Sequence, residues 1–211
     1  MRMTLPDYEG AKAYALGRLE RELAAALTYH SLAHTRDEVL PAAEALAADA
    51  GVSGEALMLL RTAAVFHDIG FVTQREGHEA AGVSIAQAVL PGFGYRPGQM
   101  AVVGDMVMAT RLPQSPRTVL ESILADADLD LLGREAYWTR HLDLRAEWAA
   151  FGLWMTDLEW YQNQLSFLRG HTYFSLFARQ RRDPRKQDNI RRLEAKIAEC
   201  DDGGGHQPRL R

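Results

Sequence analysis

The chain has 211 residues, of which 47% are hydrophobic, and its formal net charge is −4 at pH 7. That length and composition allow one domain to bury a full hydrophobic core without disulfide or metal staples. Nucleic-acid polymers are not expected as partners, because holding their phosphates needs clustered Lys and Arg on a broad basic surface. The one cysteine, Cys200, excludes both a disulfide framework and a thiolate zinc site.

The N-terminal residues lack the apolar core of a signal peptide. No stretch of the sequence approaches the roughly 18 consecutive apolar residues that are needed to cross a bilayer. Together with the single cysteine, this pattern predicts a cytoplasmic protein that has no membrane partner.

Segments rich in Ala, Leu, Glu and Arg dominate the chain, and the strict alternation typical of strands is absent. The fold class is therefore predicted to be all-α. Capping residues, glycines and prolines divide the chain into helices. In order, the predicted helices run from Asp7 to about His30, from Thr35 to Gly51, from Ser53 to about His67, from about Gly77 to Leu90, from Pro97 to a break at Pro113, over residues 117–132, and over about 142–169.

Local signals mark the ends of several of these helices. Thr35 and Glu38 form a capping-box pattern at the start of the second helix. A shorter helix follows the long one of residues 142–169. The dipeptide Asp183-Pro184 is then predicted to open a final amphipathic helix, because proline is favoured in the first turn.

No internal repeat or low-complexity linker divides the sequence into separate folding units. Residues 1–200 are therefore predicted to form a single domain. The GGG sequence at 203–205 interrupts the helical periodicity, so residues 201–211 are predicted to form a flexible tail.

The dipeptide His67-Asp68 lies where an apolar helical segment, AAVFHDIG, comes to its end. Phe66 and Ile69 on either side indicate that the dipeptide lies at the edge of the core. A lone histidine there is more often a hydrogen-bonded core residue than a ligand, but the adjoining carboxylate changes that balance. Burying a carboxylate is costly unless a cation or strong donors compensate it. A metal ion at this position is therefore the first functional hypothesis.

Two further residues can reach the same site. His34 lies at the end of the segment YHSLAHT, and Asp126 lies in LADADLD among apolar neighbours that draw it toward the interior. Imidazole and carboxylate ligands together suit Mn²⁺, Fe²⁺, Zn²⁺, Co²⁺ or Mg²⁺. Of the three carboxylates on this helix, only Asp126 is assigned to the site. Asp130, one turn on, can support it, and Asp128 is predicted to face solvent.

The ordered set of His34, His67-Asp68 and Asp126 resembles the signature of the HD-superfamily metal-dependent phosphohydrolases. The likeness covers residues 29–133 and includes YHxxxHT, FHDIG, GHEAAG and DADLxxLG. It implies an HD-domain-like helical bundle in which the four residues hold one divalent metal ion. It also implies that a metal-activated water, oriented by Asp68, cleaves a phosphate ester or anhydride. The expected partner is a small phosphorylated substrate, with nucleotides as the default class.

Three cationic side chains are predicted to bind the phosphate of that substrate. His78, in GHEAAG, takes this role and a catalytic one from the resemblance, because a histidine here contacts phosphate in some relatives. Arg36 and Arg111 are candidates because guanidinium groups match phosphate oxygens, and each can equally be an ordinary surface arginine. Glu79 is a candidate proton shuttle, with a helix N-terminal charge as the simpler interpretation.

Three other functions were weighed against this hypothesis. His30 and His34 are spaced like the ligands of zinc peptidases, but HSLAH lacks the glutamate that serves as general base in HExxH. His30 is therefore interpreted as a core histidine or one that supports a ligand. Relatives with two metals have additional histidines that are missing here, which argues against oxygenase chemistry. A non-catalytic module that senses a nucleotide or a metal stays open as the alternative.

Overall fold

The computed structural model describes residues 6–203. Within that range the chain is helical and contains no strand, which confirms the predicted all-α class. The described α-helices are α1 (Tyr8–Glu22), α2 (Leu40–Asp49), α3 (Gly54–Phe66), α4 (His78–Val89), α5 (Pro97–Ala109), α6 (Val119–Asp128), α7 (Tyr137–Ala150), α8 (Asp157–Gly170) and α9 (Leu176–Gly203). A π-helical turn, His34–Val39, leads directly into α2, and 3-10 turns occupy Ile69–Val72, Leu90–Phe93 and Asp130–Gly133.

The first six helices share one hydrophobic core, and α3 lies at its centre. Helix α3 packs against α1, α2, α5 and α6. Its residues Leu60, Ala63, Ala64, Val65 and Phe66 are fully buried, as expected for a helix that is apolar nearly all round. Because α3 ends inside this core, the residues that follow it are delivered to a buried position.

The last three helices and the Asp130–Gly133 turn build a second hydrophobic cluster. Helix α9 packs along α8, along the turn and against α2. A side chain at Gly133 would place its Cβ 2.6 Å from the carbonyl oxygen of Arg182, so this close approach of turn and helix requires glycine. The cluster is formed by Leu131, Leu132, Tyr137, Leu168, Ile190 and Leu193.

The first helix is shorter in the structure than the sequence predicts. Helix α1 ends at Glu22, and the backbone is extended at Leu23 rather than helical as far as His30. Helix α7 supplies the reason, because its Glu147 carboxylate accepts hydrogen bonds from the backbone N–H groups of Tyr29 and His30. Hydrogen bonds to α7 thus replace helical hydrogen bonds at Tyr29 and His30.

Two other predicted boundaries also differ from the structure. The long helix of residues 142–169 is divided into α7 and α8, because Gly152 has φ +86° and Thr156 with Glu159 forms a capping box that starts a new helix. Pro184 lies inside α9 instead of opening a helix.

The end of α9 bears on the predicted tail of residues 201–211. Helix α9 continues to Gly203, so the first residues of that segment are helical, and residues 204–211 lie outside the described range. Among residues 6–203, no helix combines the length and the apolar character that a membrane crossing demands.

Candidate metal centre

Four side chains from three parts of the fold converge at the end of α3. We refer to His34, His67, Asp68 and Asp128 as the histidine–carboxylate cluster. The Nε2 atom of His34 lies 3.8 Å from Asp68 Oδ2 and 3.3 Å from Asp128 Oδ1. The Nε2 atom of His67 lies 3.2 Å and 3.5 Å from the same two oxygens. The buried group of His34, His67 and Asp68 could hold a metal ion.

Hydrogen bonds fix which ring nitrogen of each histidine faces the cluster. The Nδ1 atom of His34 lies 3.0 Å from Glu38 Oε2, and that of His67 lies 2.8 Å from the Ala64 carbonyl oxygen. Both partners are acceptors, so the Nδ1 atoms carry the protons. Each Nε2 atom faces the two carboxylates, and a metal ion that displaces its proton would be bound there.

Two buried atoms of the cluster have no hydrogen-bond partner among the described residues: His67 Nε2 and Asp68 Oδ2. They lie 3.2 Å apart, but their direction does not suit a hydrogen bond between them. Leaving a buried donor or acceptor unsatisfied costs free energy. A cation bound by both atoms removes that cost, so the residues present fit a metal ion.

The electrostatics of the cluster favour an added positive charge. Burial lowers the pKa of His34, but its hydrogen bonds to Asp128 and Glu38 outweigh burial and raise that pKa to about 9. Burial raises the pKa of Asp128, but the hydrogen bond with His34 outweighs it and lowers that pKa to about 2. The pKa of Asp68 is likewise held well below its usual range, against burial, by the charge of His67. Both carboxylates therefore stay ionised at neutral pH.

The assignment of Asp126 to this cluster is wrong in the structure, and Asp128 takes its place. Asp126 is fully buried, as predicted, but its carboxylate accepts backbone N–H groups of Phe174 (2.7 Å) and Ser175 (2.8 Å), just before α9. Two residues further along α6, Asp128 points in another direction and reaches His34. Strong donors, not a cation, thus compensate the buried charge of Asp126.

Asp130 also has a different role from the one predicted. Its carboxylate forms ion pairs with Arg134 and, at 2.5 Å, with Arg182 of α9. It therefore ties the Asp130–Gly133 turn to α9 instead of supporting the histidines.

His78 lies beside the cluster at the start of α4. Its Nε2 atom is 3.4 Å from Asp68 Oδ1, and its Nδ1 atom is 3.2 Å from the Arg75 carbonyl oxygen. Gly70 makes this approach possible, because a Cβ there would lie 2.7 Å from the backbone nitrogen of Gly82 and closer still to the His78 carbonyl. Glycine in the HDIG segment therefore allows α4 to pack against the end of α3.

His30 also lies near the cluster, in agreement with its interpretation as a supporting histidine. Phe71 stacks on the rings of both His30 and His78, at centroid distances of 4.6 Å and 3.9 Å. The His30 ring lies 6.1 Å from the ring of His34. The Nδ1 atom of His30 lies 2.6 Å from Glu147 Oε1, so α7 fixes the orientation of this ring.

Glu38 and Arg140 support the cluster, a role that the sequence analysis missed. It assigned Glu38 to a capping box with Thr35, but the Thr35 hydroxyl has no hydrogen-bond partner among the described residues. Glu38 accepts from Arg140 Nε at 2.8 Å, while its other oxygen faces His34. Arg140 also donates to the Tyr29 carbonyl at 3.0 Å. The i, i+4 spacing of His34 and Glu38 is a signal that could have identified Glu38. No local pattern connects Arg140 with residues more than a hundred positions earlier.

The two predicted phosphate-binding arginines are not brought into contact with the cluster. Arg36 is exposed and pairs with its neighbour Asp37 at 2.8 Å. Residues two apart on a helix face different directions, so Arg36 does not share the direction of His34. Arg111 is exposed just after the end of α5. Glu79 is buried, and its Oε1 atom lies 3.7 Å from His78 Nε2. The roles predicted for Arg111 and Glu79 stay predictions.

Replacing Glu38 with glutamine is expected to weaken binding of Mn²⁺ to the cluster about 10- to 100-fold, the range for groups that orient metal ligands. The neutral amide removes the charge that holds the His34 imidazole and faces Arg140 with a weaker acceptor. Calorimetric titration with Mn²⁺ measures the effect. Glu44→Gln is the matched control, because Glu44 pairs with Arg61 at the surface of α2. An affinity for Glu38→Gln within twofold of the wild type would contradict the prediction.

In comparisons with known proteins, no family model, curated protein or solved structure matched the chain.

Proposed function

We propose that the protein is a metal-dependent phosphohydrolase whose histidine–carboxylate cluster holds one divalent cation. The observation that carries the proposal is the convergence of two imidazole Nε2 atoms on two ionised carboxylates, with buried atoms of His67 and Asp68 left unpartnered. Nitrogen and oxygen ligands without thiolates suit a catalytic rather than a purely structural metal. The order of these residues in the sequence, with Asp128 as the last, supports the same assignment through the HD-superfamily resemblance.

A divalent cation in such a site supplies water activation at neutral pH and stabilises the charge that develops on phosphoryl oxygens. The protein side chains orient the reactants around it. Asp68 would help to hold the cation and would orient the attacking water, and its Oδ1 atom faces His78. His78 donates to a phosphoryl oxygen, and Glu79, 3.7 Å from its Nε2 atom, receives or returns a proton.

The test is a phosphate-release assay on protein that has been stripped with a chelator and reloaded with Mn²⁺, Co²⁺, Fe²⁺, Mg²⁺ or Zn²⁺. The substrate panel contains nucleoside mono-, di- and triphosphates, cyclic nucleotides and simple phosphate esters, because the cluster itself does not select the organic group. We expect turnover of at least one of these substrates with metal and none without it.

Asp68→Ala is the variant that links the assay to the cluster. It is expected to lose both metal binding and phosphate release, because it removes a ligand that also orients the water. Metal-loaded protein that hydrolyses no member of the panel would overturn the enzymatic proposal and favour a non-catalytic sensing module. Full activity in Asp68→Ala would show that the reaction takes place elsewhere.

A further inference from the structure

A cavity of about 180 Å³ lies next to the histidine–carboxylate cluster. Tyr29 and His30 line it, and both also contact the surroundings of the cluster: their rings lie 5.1 Å and 6.1 Å from the ring of His34. Leu129, which directly follows Asp128 in the chain, lines the cavity from another side. Tyr29, His30 and Leu129 thus form a common boundary of the cavity and the surroundings of the cluster.

The cavity walls are apolar. No Asp, Glu, Lys or Arg is among the described residues that line it, and much of the surface comes from Leu131, Leu132, Leu144, Trp148 and Phe167. Such a surface binds hydrocarbon groups well and binds charged or strongly polar groups poorly.

Several polar groups in the walls, or next to them, are hydrogen-bonded to protein atoms. Tyr137 donates to Gln164 Oε1 at 3.1 Å, and Gln164 Nε2 donates to Asn163 Oδ1 at 3.4 Å. Trp160 Nε1 donates to His141 Nδ1 at 2.9 Å, and burial lowers the pKa of His141 to about 4, so this ring is neutral at pH 7. A nucleobase in the cavity would leave several of its own donors and acceptors without partners, at a cost in affinity.

We propose that this cavity binds the hydrocarbon group, of about six carbons, of a phosphate monoester whose phosphate lies at the histidine–carboxylate cluster. The size follows from the volume, since an apolar cavity of roughly 150 Å³ accommodates benzene. The inference rests on the proposed phosphohydrolase function and replaces the nucleoside with a hydrocarbon as the expected organic group.

The first experiment compares kcat/KM for methyl, butyl, hexyl, octyl and phenyl phosphate and for adenosine monophosphate. We expect kcat/KM to rise about fourfold per methylene up to hexyl phosphate, the factor that corresponds to ~0.8 kcal/mol per buried methylene, and to level off at octyl phosphate. Phenyl phosphate is expected to match hexyl phosphate and to exceed adenosine monophosphate. A flat series, or a preference for adenosine monophosphate, would overturn the inference.

A pair of tryptophan variants on α7 locates the effect. Leu144→Trp fills the cavity and is expected to reduce the ratio of hexyl to methyl phosphate turnover at least tenfold, with methyl phosphate turnover changed less than threefold. Leu142→Trp is the matched control, because Leu142 is exposed on the same helix and does not line the cavity. An unchanged ratio in Leu144→Trp would contradict the assignment of the cavity.

A binding measurement separates this inference from the proposed function. Hexanol is expected to raise the melting temperature of the wild type and of Leu142→Trp, but not that of Leu144→Trp. Stabilisation by hexanol without hydrolysis of any phosphate supports the apolar site and overturns the phosphohydrolase. Phosphate hydrolysis without stabilisation by hexanol overturns the inference and leaves the phosphohydrolase in place.

Discussion

Replacing Asp128 with alanine is expected to reduce the affinity for Mn²⁺ at least 100-fold and to reduce phosphate-ester turnover in parallel. The loss should exceed the 10- to 100-fold effect of residues that only orient a ligand, because Asp128 presents its own oxygen to both histidines. Calorimetric titration with Mn²⁺ and the phosphate-release assay measure the two effects on the same preparation.

The Asp128→Ala protein is expected to fold normally in the absence of metal. His34 keeps its hydrogen bond to Glu38, and His67 keeps its hydrogen bond to the Ala64 carbonyl, so both rings stay anchored without Asp128. Asp128→Asn provides a second variant of nearly equal volume. Affinity and turnover that stay within threefold of the wild type in both variants would exclude Asp128 from the ligand set.

Replacing Asp126 with alanine is expected to produce the opposite pattern, a loss of stability without a loss of metal binding. The change leaves the N–H groups of Phe174 and Ser175 without their acceptor at the start of α9. Each lost partner of a partly buried backbone donor costs about 1–2 kcal/mol, so the free energy of unfolding should fall by about 2–4 kcal/mol. Urea denaturation measures this quantity.

The affinity of the folded Asp126→Ala protein for Mn²⁺ should stay within threefold of the wild type, because Asp126 does not reach the histidines. Asp126→Ala and Asp128→Ala therefore form a matched pair on one helix with separable readouts. An Asp126→Ala protein that keeps its stability and loses the metal would support the original sequence-based assignment instead.

Part of the candidate site could be predicted because it is encoded locally. An apolar helix that ends in His67-Asp68 places both residues at the edge of the core, and the structure buries both of them. The all-α class was predictable for a similar reason, since helical periodicity and capping residues act within a few turns. These features need no knowledge of how distant segments meet.

The choice between Asp126 and Asp128 depended on information that periodicity does not contain. Apolar neighbours correctly predicted that Asp126 is buried, but burial does not specify the partner. One carboxylate is compensated by the N–H groups that precede α9, and the other faces the histidines. Only the position of the segment before α9 distinguishes them, and that position is set by contacts between residues about fifty apart in sequence.

The remaining parts of the site depend on α7. Glu147 and Arg140, which lie on two different turns of this helix, bind the backbone of Tyr29 and His30 and hold it outside any helix. The sequence alone favoured a helix as far as about His30, because helix propensity cannot anticipate a buried carboxylate from more than a hundred residues away. The apolar cavity was unpredictable for the same reason, as its walls come from α7, α8 and the Asp130–Gly133 turn.

The most direct measurement is the anomalous difference density of a crystal soaked in Zn²⁺, recorded at the zinc absorption edge. We expect a single peak about 2.0–2.2 Å from the Nε2 atoms of His34 and His67 and from a carboxylate oxygen of Asp68 and of Asp128. The carboxylate of Asp126 should show no peak. The absence of a peak at the histidines, or a peak at Asp126, would contradict the proposed metal centre.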